Sequence, residues 1–338
     1  TSVMFGSTHV ERGKIVWKMP LRSAVVIIIL VGLFVWTDRS VLAIPLAIGA
    51  FFTSIADVGE HVGYRWRTML WTTMWLMIAC AIGKGVSDWE ILVVVFSLVA
   101  ALVAGFAGAI GPRAALIGTL SLVVFAIFVG TPEVPWDWLP TALVMGLGGF
   151  IQTAVTCLPP LLRDRSLVHK PDDAGRVVPR LKAHLNTSDP FFRHAVRLSL
   201  AFGFGTVFAM AVNHPHSYWI PMTIAWVAKP DQQGTTTRVV ARILGTMIGL
   251  VFVALAVDGV SANTPWVVLV VGLGSAVALA FIWANYAIAV AGVTTFVIAL
   301  FELIGVPVNA TLPIRLLDTV LAGIITVAAS FIWRSKQT

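Results

Sequence analysis

The sequence contains few charged residues and almost no cysteine. Of its 338 residues, 12% are charged, 58% are hydrophobic and two are cysteine, whereas soluble domains carry about 25% charged residues. The shortage of charge excludes an ordinary soluble domain, and two cysteines are too few for a disulfide framework or a cysteine-based metal cluster. Together with a mean hydropathy of +0.91, these observations predict an integral membrane protein.

Motifs for catalysis and nucleotide binding are also lacking. The chain has no metal-ligand cluster, no nucleophile elbow and no Walker A lysine in a glycine-rich loop. The stretches LGGFIQ and GLGSAVALAFIW are typical of helix packing instead. We therefore expect neither an enzyme nor a nucleotide-driven pump, and we expect no metal and no cofactor.

Apolar runs of near-spanning length recur along the chain. A bilayer core requires about 20 helical residues, and backbone groups in lipid must bond within their own segment, so each run is predicted to be a helix. There are twelve such runs, at residues 21–37, 41–57, 69–86, 91–110, 114–130, 141–162, 195–213, 218–230, 240–258, 265–283, 286–303 and 317–333. The predicted fold class is an all-α integral membrane protein with about twelve transmembrane helices.

Lysine and arginine fall mostly on one side of this topology. With the N-terminus inside, 20 of the 23 Lys and Arg residues lie in inner segments, and only Arg39, Lys84 and Arg315 lie outside. Because cytoplasmic loops are enriched in these residues, both termini are predicted to be cytoplasmic. The net charge of +7 is then an orientation signal, so no nucleic-acid partner is expected. The helical spans indicate a multi-pass protein of a bacterial inner membrane.

A polar linker divides the twelve runs into two sets of six. Three landmarks recur at offsets of 175 or 176 residues: Arg22 with Arg197, Pro45 with Pro221, and Arg67 with Arg242. Because six helices return the chain to its starting side, the sets are predicted to be parallel repeats that pair within one chain. The predicted regions are an N-terminal cytoplasmic segment, a first repeat, a basic cytoplasmic linker, a second repeat and a cytoplasmic tail, at 1–20, 21–162, 163–194, 195–333 and 334–338.

Short proline-containing spans occupy matched positions in the two repeats. LAIPLAIGAFF carries Pro45 and YWIPMTIAWVA carries Pro221, and such a pair indicates helix breaks at a transport site. The alternative is that each proline starts a helix at its first turn, where its missing N–H costs nothing. Trp226, in the second span, is either a packing residue or a ring that stacks on an aromatic solute.

The segment KPDQQGTTTRVVARILGTMIG follows the second short span. Lys229 is expected to end one helix together with the proline after it, and Asp231 or a threonine to cap the next helix. Further along, Gly245 and Gly249 have the four-residue spacing that lets a helix approach its neighbour closely.

Four arginines flank the cytoplasmic ends of predicted spans: Arg65, Arg67, Arg238 and Arg242. Arginine has the fork geometry that suits a carboxylate, and it keeps its charge near neutral pH. With Lys229 in the same pathway, these residues would form a basic ring that concentrates anions at the cytoplasmic mouth. The alternative is that they follow the positive-inside rule and contact lipid phosphates.

Ionisable residues near the spans are functional candidates because burying a charge is costly. Asp318 is predicted to open the last helix on the outer side, where it either pairs with Arg315 or carries a proton during transport. Asp231 is either a helix cap or a proton carrier. His214 and His216, at the outer mouth, either sense external pH or are merely interfacial.

The motifs of the second half resemble those of a known family. HAVRLSLAFGFG, HPHSYWIPMTIAWVAKPD, GTTTRVVARILGTMIG and RLLDTVLAGI are similar to the repeated membrane unit of the fusaric acid resistance (FUSC) and aromatic acid exporter family, over about residues 190–333. The resemblance extends remotely to the plant aluminium-activated malate transporters. It implies six-helix units that pair around an anion pathway, and efflux of aromatic or other organic acids. The first half lacks the Lys-Pro-Asp and Arg-Leu-Leu-Asp-Thr signatures, so an asymmetric pathway is expected.

The leading hypothesis is a secondary, proton-coupled exporter of organic anions such as aromatic carboxylic acids. In this hypothesis the arginine ring attracts the anion, and Asp231 or Asp318 carries the proton. The alternatives are a passive organic-anion channel or facilitator, and a non-transporting accessory membrane subunit. The expected partners are a small organic anion and the lipid bilayer, and the oligomeric state stays open.

Overall fold

The computed structural model describes residues 11–58, 62–131, 134, 137–164, 177–212, 214–258 and 264–332. Its α-helices are α1 (Lys18–Trp36), α2 (Ser40–Ile55), α3 (Val62–Val86), α4 (Glu90–Phe106), α5 (Pro112–Gly130), α6 (Trp138–Arg163), α7 (Val177–Ala183), α8 (Pro190–Val212), α9 (Trp219–Val227), α10 (Gln232–Val253), α11 (Thr264–Phe281), α12 (Tyr286–Glu302) and α13 (Val308–Ser330). Within these ranges, nine helices are long and apolar enough to cross a membrane. The prediction of an α-helical membrane protein is confirmed.

Each of the twelve apolar runs lies on one helix, with six helices before α7 and six after it. Three of the twelve are shorter than the spanning helices, namely α2, α9 and α12. At 1.5 Å per residue, the 9 residues of α9 extend for about 14 Å, roughly half of the hydrocarbon thickness. All of them are buried, so α9 is a short helix inside the bundle.

Two helices begin earlier than the apolar runs predict. The carboxylate of Asp231 accepts a hydrogen bond from the backbone N–H of Gly234 at 2.6 Å, which caps α10 at Gln232 rather than near residue 240. The carboxylate of Glu302 accepts a hydrogen bond from the N–H of Val308 at 3.0 Å, which stabilises the start of α13 well before residue 317. The polar segments QQGTTTR and VNATLPIR are therefore helical. As a result, Arg242 and Asp318 lie well inside their helices and not at the helix starts.

The predicted helix breaks at Pro45 and Pro221 are wrong. Helix α2 continues through Pro45, which is buried, and Pro221 lies in the first turn of α9, where its missing N–H leaves no helical bond unmade. Helix α9 ends instead before Lys229 and Pro230, because a residue that precedes proline is driven out of the helical region.

The two halves use the same helix contacts. In the first half α2 and α3 pack on α6, α3 and α4 pack on α5, and α1 packs on α2. In the second half α9 and α10 pack on α13, α10 and α11 pack on α12, and α8 packs on α9. Between the halves, α4 packs on α8 and α1 on α11, while α5 contacts α9 and α2 contacts α12. Helices α2, α5, α9 and α12 therefore meet where the two halves of the chain join.

Helix α10 packs closely on α12 through two glycines. A Cβ on Gly249 would lie 2.6 Å from the carbonyl oxygen of Ala291 and 2.8 Å from Cβ of Thr294, and one on Gly245 would overlap the carbonyl oxygen of Ala287. Such close backbone approach is possible because glycine has no side chain. This glycine contact, which we call the seam, holds α10 and α12 together beside the candidate site.

Candidate functional site

Arg315 is buried inside the helix bundle, on α13. Its exposed fraction is 0%, and Nε, Nη1 and Nη2 have no hydrogen-bond partner in the described part of the chain. The guanidinium carbon lies 4.6 Å from the centroid of the Trp219 ring, a cation–π contact that offsets part of the cost of burial. The apolar runs put Arg315 in an outer segment before the last helix, but α13 begins at Val308 and Arg315 lies inside it.

Arg242 and Asp318 belong to the same buried cluster. Arg242, on α10, is 1% exposed, and its charge acts on Arg315. Asp318 is 0% exposed, and its Oδ1 lies 3.1 Å from Nε2 of His214. Two guanidinium groups and one carboxylate leave an excess of positive charge in this cluster. Because an uncompensated buried charge is costly, the cluster favours an anionic ligand.

The apolar runs misplace Asp318 and Arg242 for the same reason, because they put the starts of their helices too late in the chain. Asp318 does not open the last helix, because α13 begins at Val308 and Asp318 lies in its third turn. Arg242 does not line a cytoplasmic mouth, because α10 begins at Gln232 and Arg242 follows about 15 Å along the axis.

The sequence does carry a signal for the buried position of Arg315. Along α13, polar or small residues recur every three or four positions and are all buried: Thr311, Arg315, Asp318, Thr319, Ala322 and Thr326. That spacing is typical of one helix face turned towards neighbouring helices. A search for polar residues with helical spacing would therefore have placed Arg315 and Asp318 inside the bundle.

An aromatic cavity adjoins Arg315 where α2, α5, α9 and α12 meet. Its aromatic wall contains Phe51, Phe52, Trp219, Trp226, Phe296 and Phe301. The cavity volume is about 30 Å³, room for little more than one water molecule. Of the residues that line this cavity, Arg315 alone is charged. A guanidinium beside aromatic rings has the chemistry to bind a flat anion by a forked bond to its carboxylate and by ring stacking, but this cavity must widen before an aromatic carboxylate can enter.

Trp226 lies in this wall, 6% exposed, with its ring centroid 6.1 Å from that of Phe52. The contact joins α9 to α2, across the two halves of the chain. Phe51 and Phe296 make a second contact between the halves, with stacked rings 4.7 Å apart. The cavity is therefore closed by aromatic contacts from both halves.

Arg65 is held in an ion pair that the sequence did not predict. Its Nε and Nη2 donate to the two carboxylate oxygens of Asp57 at 2.6 and 3.0 Å. Arg22 lies 3.5 Å from the same carboxylate and donates to the hydroxyl of Thr156 at 3.2 Å. The fork of Arg65 is thus occupied by Asp57, and the predicted ring of four arginines open to an anion is wrong at this position and at the buried Arg242.

The other two arginines of the predicted ring are partly exposed and lie on aromatic rings. The guanidinium carbon of Arg67 is 5.2 Å from the centroid of Trp66, and that of Arg238 is 4.3 Å from the centroid of Tyr286. Both positions suit a role at the cytoplasmic surface, which stays a prediction.

Lys229 and Asp231 lie in the turn between α9 and α10. Burial and the nearby positive charge of Arg238 lower the pKa of Lys229 to about 8. The exposed Asp231 caps α10 through its bond to Gly234, which is the first of its two predicted roles. Asp318, by contrast, is a buried carboxylate beside the excess positive charge.

Comparisons with known proteins agree with the motifs. Residues 201–329 match the family model described as "Fusaric acid resistance protein-like". The chain is similar to the inner membrane protein YccS of Escherichia coli K12, with 34% identity over 159 residues, 47% of this chain and 22% of YccS. It is similar to the uncharacterized protein ORF2 of Neisseria gonorrhoeae, with 30% identity over 45% of this chain and 37% of that protein. The uncharacterized protein YhfK of E. coli K12 is 29% identical over 48% of this chain and 23% of its own length.

These matches cover only about a fifth to two fifths of the relatives' own length. No solved structure matches the chain. The family match extends from within α8 to the end of α13 and includes Arg242, Arg315 and Asp318. The resemblance predicted from the motifs is therefore confirmed over residues 201–329: this part of the chain is similar to the fusaric acid resistance protein-like family, and one of the relatives it resembles is named an inner membrane protein.

Proposed function

We propose that this protein exports organic anions, with aromatic carboxylates as the substrate class. The observation that carries the proposal is Arg315, a fully buried guanidinium with three unpartnered nitrogens among the described residues, in the wall of an aromatic cavity. Arginine binds a carboxylate with two parallel hydrogen bonds, and the rings offer stacking surfaces to the rest of the molecule. The name of the matched family also points to an organic acid.

The proposal includes the architecture of twelve helices in two parallel repeats, with both termini in the cytoplasm. The matched helix contacts of the two halves support it. So does a recurring carboxylate, since Asp57 follows α2 as Asp231 follows α9, each near a matched arginine, Arg22 or Arg197. In such an architecture the aromatic cavity lies between the repeats, where transporters with internal repeats bind their solutes.

Proton coupling would run through Asp318 rather than Asp231. Asp318 is buried next to Arg315, whereas Asp231 is exposed and holds a helix cap. His214, whose side chain is 20% exposed, contacts the Asp318 carboxylate and so connects it to the outer end of the bundle. An ionised Asp318 competes with the substrate carboxylate for Arg315, and a protonated one does not, so proton and anion binding are linked.

A passive anion facilitator is the second candidate. The excess positive charge of Arg242 and Arg315 over Asp318 favours it, because anions can bind there without any proton. A membrane potential that is negative inside then drives anions outwards at about 2.3 kcal/mol per charge and 100 mV.

The test is transport of radiolabelled 4-hydroxybenzoate by the full chain in liposomes, with the pH gradient and the membrane potential imposed separately. Accumulation that requires the pH gradient supports the coupled exporter, and flux that follows the potential alone supports the facilitator. The control is the Arg315→Gln protein, which should give neither.

Flux that is equal in Arg315→Gln and the unaltered protein would overturn the proposed binding site. The absence of flux for a panel of aromatic and aliphatic carboxylates, with monodisperse protein, would favour the accessory-subunit alternative instead.

A further inference from the structure

A second and larger cavity lies on the other side of Tyr218 from the aromatic cavity. Its volume is about 300 Å³, at the lower end of the range for ligand sites. It lies between α4, α5, α8 and the start of α9, and it is lined by hydroxyl groups that include Ser87, Ser97, Thr206 and Ser217. We call it the outer chamber, because the proposed topology puts this end of the bundle outside.

The outer chamber reaches well into the bundle. The hydroxyls of Ser97 and Thr206 lie 3.3 Å apart at the contact between α4 and α8. Since α4 begins at Glu90 and α8 ends at Val212, these hydroxyls lie about 10 Å below the outer helix ends. The chamber therefore extends from the helix ends into the interior of the bundle.

Tyr218 forms the wall between the two cavities. It lines both of them and is 5% exposed. Gly130 faces it from α5, and a Cβ on that glycine would lie 2.5 Å from Cβ of Tyr218 and 2.7 Å from Cδ1 of its ring. Tyr218 belongs to the turn before α9, where His216 has a φ of 67°. Movement of this one ring would join the outer chamber to the aromatic cavity.

The two cavities differ in charge. Arg315 lies in the wall of the aromatic cavity, whereas the described residues that line the outer chamber include Glu90 and contain no lysine or arginine. An anion that moves from Arg315 into the chamber loses its cation and meets the hydroxyls of Ser97 and Ser217, since those of Ser87 and Thr206 already donate to backbone carbonyl oxygens. Conduction requires such weak binding on the side of release.

We propose that the outer chamber is the release site for the exported anion, a low-affinity site with hydroxyl donors, and that Tyr218 is the gate between it and the binding cavity. The inference rests on the proposed function for its cargo. The chamber and the gate themselves can be tested without measuring transport.

The first experiment measures the reactivity of introduced cysteines in right-side-out membrane vesicles with a membrane-impermeant, charged thiol reagent. The native Cys80 and Cys157 are buried, at 0% and 3% exposed, so the background is low. Ser87→Cys and Ser217→Cys, which line the chamber and are partly exposed, should react at least ten times faster than Ser275→Cys, a control on α11 that is 0% exposed and outside the chamber lining. Equal rates for the three variants would overturn the chamber.

The second experiment tests the gate. Thr131 lines the aromatic cavity and is 2% exposed, so Thr131→Cys alone should be nearly inert. Addition of Tyr218→Ala should raise its reactivity at least tenfold, whereas Tyr218→Phe, which keeps the ring, should not. Tyr218→Leu serves as a milder truncation if the alanine variant does not fold.

An unchanged rate in the folded truncation variants would overturn the gate. Reactivity as expected in both experiments, in a protein that moves no carboxylate, would refute the proposed function and leave the chamber and gate standing.

Discussion

Nε2 of His214 lies 3.1 Å from Oδ1 of Asp318, and Nδ1 of the same ring lies 2.7 Å from the carbonyl oxygen of Pro215. The carbonyl can only accept, so Nδ1 carries a hydrogen. The contact with Asp318 then needs one further proton, either on Nε2 or on the carboxyl group. His214 and Asp318 therefore form a pair that holds one proton between a partly exposed ring and a buried carboxylate.

Replacing Asp318 by Asn should uncouple transport from the pH gradient. The amide keeps the size of the side chain and cannot take up a proton, so proton-driven accumulation should be lost while exchange of internal for external substrate continues. His214→Gln should weaken coupling in the same way, because it removes the ring that shares the proton. Accumulation and exchange of labelled substrate in liposomes measure the two activities, and full proton-driven accumulation by Asp318→Asn would contradict the assignment.

Replacing Arg315 by Gln should weaken binding strongly without harming the fold. A hydrogen bond to a charged group contributes about 1.5–3 kcal/mol, so affinity should fall by about 10-fold to 150-fold. The unfolding temperature of the ligand-free protein should stay the same or rise, because the change removes a buried charge whose nitrogens make no hydrogen bond within the described residues. Ligand-induced thermal shifts measure both effects.

The control for this variant is Arg113→Gln, since Arg113 is an exposed arginine over the ring of Tyr64. A large loss of stability in Arg315→Gln, with unchanged affinity, would make Arg315 a structural residue.

Capture of the anion from the cytoplasm should weaken as the internal pH rises through about 8. Burial and Arg238 lower the pKa of Lys229 to about 8, so the amine is charged below that pH and neutral above it. The KM for internal substrate should increase a few-fold between pH 7 and pH 9, and Lys229→Arg, which stays charged, should flatten the profile. An identical profile in Lys229→Arg would exclude Lys229 from the pathway.

Replacing Arg65 by Gln should lower stability and leave transport kinetics unchanged. The change leaves the carboxylate of Asp57, 6% exposed, without its forked partner, and loss of one member of a buried pair costs up to about 3–5 kcal/mol. The double variant with Asp57→Asn should recover part of the loss, because the buried carboxylate that keeps only the longer contact with Arg22 is then removed. An increased KM in a stable Arg65→Gln protein would return Arg65 to the anion pathway.

Replacing Gly249 by Ala should destabilise the contact between α10 and α12. The new Cβ would lie 2.6 Å from the carbonyl oxygen of Ala291, and overpacking of this kind costs about 1–3 kcal/mol. Gly32→Ala is the matched control, because its Cβ would meet Cγ1 of Val268 at an ordinary 3.9 Å. Thermal unfolding in detergent compares the two, and equal unfolding temperatures would mean that the seam can relax.

The helices themselves could be predicted from the sequence, but their starting points could not. Apolar runs locate the parts of a helix that face lipid or the core, and all twelve runs lie on helices. The first turn of α10 is polar and is capped by Asp231, and the first N–H of α13, that of Val308, donates to the carboxylate of Glu302. A prediction from hydropathy alone therefore places Arg242 and Arg315 near helix ends, although both lie inside helices.

The charged cluster needed the tertiary structure. Arg242, Arg315 and His214 come from α10, α13 and the turn before α9, and nothing in the local sequence brings these three together. The ion pair of Asp57 and Arg65 was missed for a similar reason, since the two residues belong to different helix ends and their pairing depends on how α2 and α3 meet. The motif that contains Arg315 and Asp318 did identify the right helix.

The two halves share their helix contacts but not their charged residues. At the offset of 175 residues, the first-half counterparts of Arg315 and Asp318 are Pro140 and Leu143 on α6, so one copy of the architecture holds the charges and the other supplies the facing wall. In the proposed architecture of two repeats, the chain would work as an asymmetric pair of units. Substitutions in the first unit would then be limited mainly by side-chain volume, and those in the second mainly by charge.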